Sequence, residues 1–120
     1  MSDTTLIKKR QTMRQQPLPN CHDGQGALDW CEVLAPGDLP ARRLRFVHDD
    51  VLAPGVSIGV HAHREDEEYY YILSGSGTMH LDGVEHRVSA GDITAVYPGG
   101  VHGLVNDGDE DLRVIVFSIG

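Results

Sequence analysis

The chain has 120 residues, with 10 Lys and Arg against 18 Asp and Glu, a formal charge of −8. That is one domain's worth of chain, and so acidic a surface is ill suited to neutralising phosphates, which excludes a duplex-binding role. No apolar run reaches bilayer-spanning length, and Lys8, Lys9 and Arg10 are not followed by the apolar stretch of a signal peptide, so a cytoplasmic location without a membrane partner is expected.

Residues 1–20 read as an N-terminal arm. Ser2 to Gln16 is polar and basic, and Pro17 and Pro19 prevent a continuous helix into the next segment. A solvated tail, or one draped over a partner, is expected. Residues 21–120 read as a single β domain. Cys21 and Cys31 are too few for a disulfide scaffold and are expected to be free thiols in a reducing cytosol. With only His22 beside them they make a poor zinc site, which needs four close ligands.

From residue 27 the strand signals come in close succession. Ala27 to Leu34 is apolar and ends at Ala35-Pro36-Gly37. Arg42 to His48 alternates, with Leu44, Phe46 and His48 on one face and Arg43 and Arg45 on the other. Ser57 to His63, Glu68 to Ser74 and Thr78 to Leu81 come next. Asp82-Gly83 is a two-residue hairpin signal leading into Val84 to Val88. Asp92 to Val96, His102 to Val105 and Leu112 to Ile119 complete the set. Gly75 and Gly91 stand where strands reverse and positive φ is expected. Asn106 is assigned to capping the turn at Asp107-Gly108. No window has a helical apolar period, so many short strands with 14 glycines at the joints predict a sandwich or small barrel.

His61 and His63 are two apart on a strand, which points both imidazoles to one face. An antiparallel neighbour would bring Glu68 opposite them, and His102 opens a later strand just after Pro98-Gly99-Gly100. Three neutral imidazoles and one carboxylate form a mixed N/O donor set that leaves positions open on an octahedral ion. By the same parity Tyr70, Ile72, Ser57, Gly59 and Leu104 face inward, with Ser57 and Gly59 leaving room for a ligand. Tyr69, Tyr71, Leu73, Ile58 and Val60 then face outward. Apolar residues on both faces call for cover on the outer one, and a homodimer is expected. His80 and His86, which flank the hairpin, have no carboxylate at ligand spacing and are not assigned to the site.

Gly55, His61-Ala62-His63, Glu68 and Gly75 together resemble the first motif of the cupin superfamily. Gly91, Tyr97-Pro98-Gly99, His102 and Asn106 resemble the second, with Tyr97 where the family often has proline. The resemblance implies an all-β cupin double-stranded β-helix, a jelly-roll barrel. It also implies one divalent transition metal per chain on His61, His63, Glu68 and His102, manganese first, with iron, nickel, cobalt or zinc as alternatives. The stretch from Leu52 to His61 followed by Glu68 to Leu73 looks most like small single-domain cupins of the oxalate-decarboxylase-like or sugar-isomerase-like kind. A further resemblance is to cupin lyases acting on dimethylsulfoniopropionate, in which a tyrosine placed as Tyr70 is here serves as the base. Tyr70 is therefore the candidate catalytic residue, with a metal expected to lower its phenol pKa.

Three function classes stay open at this point, because fold does not fix function. One is a metal-dependent enzyme on a small polar or carboxylate metabolite (decarboxylase, lyase, dioxygenase or isomerase). Another is a metal-dependent binder of a small acid without turnover. The third is a structural cupin whose metal only stabilises the barrel.

Overall fold

The computed structural model describes residues 4–38 and 43–120. Its ten strands are β1 (Arg14–Pro19), β2 (Ala27–Leu34), β3 (Leu44–Leu52), β4 (Ser57–Ala62), β5 (Glu67–Ser74), β6 (Ser76–Leu81), β7 (Val84–Ser89), β8 (Ile93–Val96), β9 (Val101–Val105) and β10 (Leu112–Ile119). They form a six-stranded sheet in the order β1-β2-β3-β10-β5-β8 and a four-stranded sheet in the order β4-β9-β6-β7. Every pairing is antiparallel, and no α-helix occurs among the described residues. This is the expected all-β jelly-roll barrel. The strand expected from Arg42 runs from Leu44; Arg42 itself lies outside the described residues.

The expected arm is only partly an arm. Its end, Arg14 to Pro19, pairs with Ala27 to Glu32 as the edge strand of the larger sheet. An edge position tolerates Pro17 and Pro19, because a missing N–H on the solvent side breaks no ladder bond. Ahead of it, Lys8 Nζ lies 2.6 Å from Asp38 Oδ2, and Arg10 lies 2.8 Å from Asp49 Oδ2, so the segment is tied to its own chain. No alternation marks Arg14 to Pro19 as a strand, and its pairing with β2 is what makes it one.

Register divides the interior into two ends. Leu112 pairs with Leu52, and Val114 pairs with both Asp50 and Ile72; Leu52, Ile72, Leu112 and Val114 are fully buried. Burying such side chains contributes about 1.5–3 kcal/mol each. Further along the same strands Val116 faces His48 and Tyr70, and Ser118 faces Phe46 and Glu68. Apolar rows thus fill one end, with Asp50 the buried charged residue among them, and His48, Glu68 and Ser118 lie towards the other.

Local signals behave as their chemistry requires. Asp82 and Gly83 have φ of 49° and 82°, the two left-handed residues of a tight hairpin between Leu81 and Val84. Gly75 and Gly91 take the expected positive φ. Asn106 is fully buried and serves as a cap: its Nδ2 donates to Leu52 O (2.8 Å) and Glu110 O (2.7 Å), while its Oδ1 accepts from the Gly108 N–H (3.1 Å). Asn106→Ala strands these groups and is expected to cost about 2–4 kcal/mol. An unchanged urea midpoint would refute that role.

One parity assignment is overturned. Ile58 pairs with Leu104 and His61 with His102, so β4 spends one residue more than β9 between the two pairs. This bulge at Gly59-Val60 turns Ile58 inward, 3% exposed, where strict alternation put it outward. Ser57 and Gly59 do not leave the expected room: the Ser57 hydroxyl accepts from the Gln25 N–H (2.8 Å), and the His22 backbone lies against Gly59.

Candidate metal centre

The two sheets meet at four side chains. β4 carries His61, the turn after it His63, β9 His102 and β5 Glu68. His61 and His102 are direct cross-strand partners in the smaller sheet, and Glu68 approaches from the larger one. His102 Nε2 lies 3.1 Å from His61 Nε2, 3.1 Å from His63 Nε2 and 3.1 Å from Glu68 Oε1. Glu68 Oε1 is 3.4 Å from His63 Nε2 and 3.9 Å from His61 Nε2. One atom from each residue lies within 4.8 Å of the others. Ligands at about 2.1 Å from a common ion stand about 3 Å apart when adjacent, which is this spacing.

The outer ring nitrogens decide what the inner ones offer. His61 Nδ1 is 2.7 Å from the Gly59 carbonyl, which only accepts, so Nδ1 carries the proton. His63 Nδ1 donates in the same way to Asp66 Oδ1 at 2.9 Å. Asp66 is itself held by the Ser118 hydroxyl (2.6 Å), with the Arg45 guanidinium 3.7 Å away. In these tautomers the Nε2 lone pairs of His61 and His63 face each other's neighbourhood together with a carboxylate oxygen. Crowded lone pairs call for a cation, so the residues fit a divalent metal. Burial lowers the His102 pKa, the charges of His61 and His63 add to this, and Glu68 opposes it, which keeps a ligand nitrogen available. Burial pushes Glu68 up, but the surrounding imidazoles, His102 at 3.1 Å first among them, outweigh it and hold the carboxyl at about 2.

Residues 49–118, more than half of the chain, match the cupin domain family. The chain belongs to the cupin family. It is 28% identical over 116 residues to the oxalate-binding protein of Thermotoga maritima, covering 97% of this chain and 95% of that one. It superposes on the crystal structure of a predicted oxalate decarboxylase from the same organism with a TM-score of 0.88 at 27% identity, covering 95% and 98% of the two chains. A putative quercetin 2,3-dioxygenase of Pasteurella multocida is 28% identical over 76 residues, which is 63% of this chain but 30% of that longer protein.

This cupin carries a feature that strand parity did not reveal. His22, in a short 3-10 turn at Cys21–Asp23, stacks on the His61 ring with centroids 3.5 Å apart and planes 10° apart. Asn20, His22 and Asp23 all take positive φ, between 49° and 63°, a costly run for residues other than glycine. Close packing on β4 holds it: a Cβ on Gly59 would collide with the His22 carbonyl oxygen, and one on Gly24 with the Ser57 carbonyl oxygen. No local pattern ties His22 to residue 61, so only the paired glycines could have hinted at the contact. His22 fixes the ring plane of His61 from its outer side. His22→Ala is therefore expected to lower metal affinity about tenfold, and His22→Phe, which keeps a flat ring, to restore most of it. Competition with a chelating dye measures both, and equal affinity in all three proteins would remove His22 from this role.

Tyr70 is 2% exposed, and its ring centroid lies 4.7 Å from that of His102. Its surroundings run against a lowered phenol pKa. Burial first, then the charges of Glu68, Cys21 and Asp50, push Tyr70 well above its ordinary value of 10. In the chain without a metal the hydroxyl is thus held protonated. His80 is half-buried and His86 exposed, and neither is among the four clustered residues. Arg45 is exposed and acts on Asp66, outside the barrel interior.

Proposed function

We propose that this cupin binds a small carboxylate at a divalent metal held by His61, His63, Glu68 and His102, and that Tyr70 is the group through which it acts on that ligand. The convergence of three imidazole nitrogens and one carboxylate oxygen on a common point carries the reading. A bound divalent ion, manganese first, would supply positive charge and open positions for the ligand's oxygens. The chain's own part is defined by its donors. Tyr70 presents a protonated hydroxyl beside Glu68, which suits handing a proton or a hydrogen bond to an oxygen anion. A decarboxylase, lyase or dioxygenase reaction fits this arrangement. Binding without turnover is the second reading, favoured by the name of the Thermotoga maritima relative, an oxalate-binding protein.

Metal analysis of protein purified without added metal, followed by calorimetric titration with oxalate, tests the proposal. One equivalent of metal and metal-dependent oxalate binding are expected; absence of either overturns it. Oxalate consumed with release of carbon dioxide would establish turnover, and oxalate recovered intact would favour the binder.

The outer face of the larger sheet supports a homodimer. Tyr71 and Leu73 are 39% and 40% exposed and Ile93 56%, while Tyr69 stacks on Phe117 at 4.9 Å. Tyr71 pairs with Ile115 and Ile93, so these residues form one continuous apolar strip. A cytoplasmic setting is consistent with the free thiols of Cys21 and Cys31. Sedimentation at micromolar concentration is expected to show a dimer that the double change Tyr71→Glu, Leu73→Glu converts to monomer. A wild-type monomer would refute the assembly.

A further inference from the structure

Glu65 to Glu68 are four acidic residues in a row, the composition of a solvated turn. The structure separates them. Glu65 is exposed, Glu67 accepts from the Tyr69 hydroxyl (3.0 Å), and Glu68 joins the four-residue centre. Asp66 turns to His63 instead. Its Oδ1 accepts from His63 Nδ1 at 2.9 Å, and the His63 and Asp66 side chains are only 10% and 13% exposed. Its Oδ2 accepts from the Ser118 hydroxyl at 2.6 Å, and Ser118 is fully buried as the cross-strand partner of Glu68. Gly120 closes over the same residue: a Cβ there would stand 3.1 Å from the Asp66 Cβ. Both carboxylate oxygens of Asp66 are thus engaged by neighbours on other elements, so its aim at His63 is fixed by the fold.

The three imidazoles of the centre are held unequally. His63 Nδ1 donates to a carboxylate and His61 Nδ1 to the Gly59 carbonyl (2.7 Å), while His102 Nδ1 is buried with no partner among the described residues. An acceptor behind an imidazole raises the electron density at Nε2, and a charged acceptor raises it most. Nε2 of His63 is therefore the strongest donor of the three. The pair is also shielded from water, so the charge of Asp66 is felt at the ring more than a surface charge would be.

We propose that Asp66 is a positioning residue of the metal centre, and that its charge, delivered through the His63 ring, tightens the hold of the four donors on the ion. This rests on the metal reading above and adds a fifth side chain to it. Asp66 acts from behind the ring, on Nδ1, and is not among the clustered donors.

The test is titration of the metal-free full chain with cobalt(II) in competition with a chelating dye. Asp66→Asn keeps an oxygen for the His63 N–H and an amide to donate to Ser118, and lacks only the charge. It is expected to weaken cobalt about tenfold. Asp66→Ala, which loses the contact as well, is expected to weaken it about a hundredfold, the upper end for outer partners of metal-bound imidazoles. Asp107→Ala removes the same charge from an exposed pair with Arg87 and is expected to bind as wild type does. A double-mutant cycle locates the effect. On top of His63→Ala, Asp66→Asn is expected to cost nothing further, because the ring that carries its charge is gone. In fully loaded Asp66→Asn the visible bands of cobalt are expected to shift, whereas a merely structural role would leave them in place. Wild-type affinity or unshifted bands in Asp66→Asn overturn this inference. So does an equal loss in Asp107→Ala, or a further tenfold loss on the His63→Ala background. In each of these outcomes the four-residue assignment stands. Should Asp66→Ala fail to fold, the near-isosteric Asp66→Asn keeps the test decisive. A wild-type chain that binds no cobalt removes the metal reading and this inference with it.

Discussion

Replacing His61 and His63 together by alanine is expected to abolish stoichiometric metal. The change removes two of four donors whose outer nitrogens are already committed to Gly59 and Asp66, and no other imidazole among the described residues joins this cluster. Melting in the presence and absence of chelator separates loss of metal from loss of fold. For wild-type protein, metal at a thousandfold excess over its dissociation constant adds about 4 kcal/mol, and chelator removes that increment. The double variant should melt at one temperature in both conditions. Its metal-free form should be no less stable than metal-free wild type, because the substitution relieves the crowding of lone pairs around His102. Full metal occupancy in the double variant would overturn the ligand assignment, and chelator-independent melting of wild type would overturn the stabilising role of the metal.

The four clustered residues were legible in the sequence for two reasons: His61, His63 and Glu68 rest on strand parity and short spacing, while His102 was marked by its place after Pro98-Gly99-Gly100 and by the likeness of that segment to the second cupin motif. His61 and His63 share a face through period two, and Tyr70 and Ile72 accompany Glu68 inward along β5. Parity failed where the chain adds a residue. The bulge at Gly59-Val60 reverses the facing of Ile58, and nothing local announces it beyond a glycine inside a strand. Pairing across distance was equally hidden. β1 lacks alternation and holds two prolines, so it has the look of an arm until β2 supplies its partner. His22 on His61 is a contact between residues 39 apart in sequence, made by a turn of left-handed residues that no apolar period marks. Asp50 reads as one half of an acidic pair, Asp49-Asp50, of the kind that faces solvent. The register of β3 against β10 sends Asp49 to Arg113 outside and Asp50 opposite Val114 inside. Strand facing was legible, then, wherever alternation was unbroken, while the groups that complete the site came from tertiary pairing.

Tyr70→Phe is expected to leave the fold and metal content intact while removing the action on the ligand. The ring keeps its packing against His102 and its place opposite Val116 and Thr94; only the hydroxyl goes. Where the protein turns its ligand over, the rate is expected to fall about 10²–10⁴-fold, the usual worth of a positioned acid or base. The site also sets the direction of proton movement. In the chain without a metal, burial and then the charges of Glu68, Cys21 and Asp50 raise the pKa of this phenol, which favours a donor over a base. Loss of Tyr70 should therefore fall on the step in which negative charge develops on the ligand, lowering kcat more than it raises KM. Where the protein binds without turnover, the same change should weaken an anionic ligand by about 1–3 kcal/mol, one hydrogen bond to a charged group. Titration and kinetics on the same preparation distinguish the two cases. Unchanged turnover together with unchanged affinity would reduce Tyr70 to a packing residue and move the proton-transfer role to the only other buried acid of this interior outside the ligand set among the described residues, Asp50.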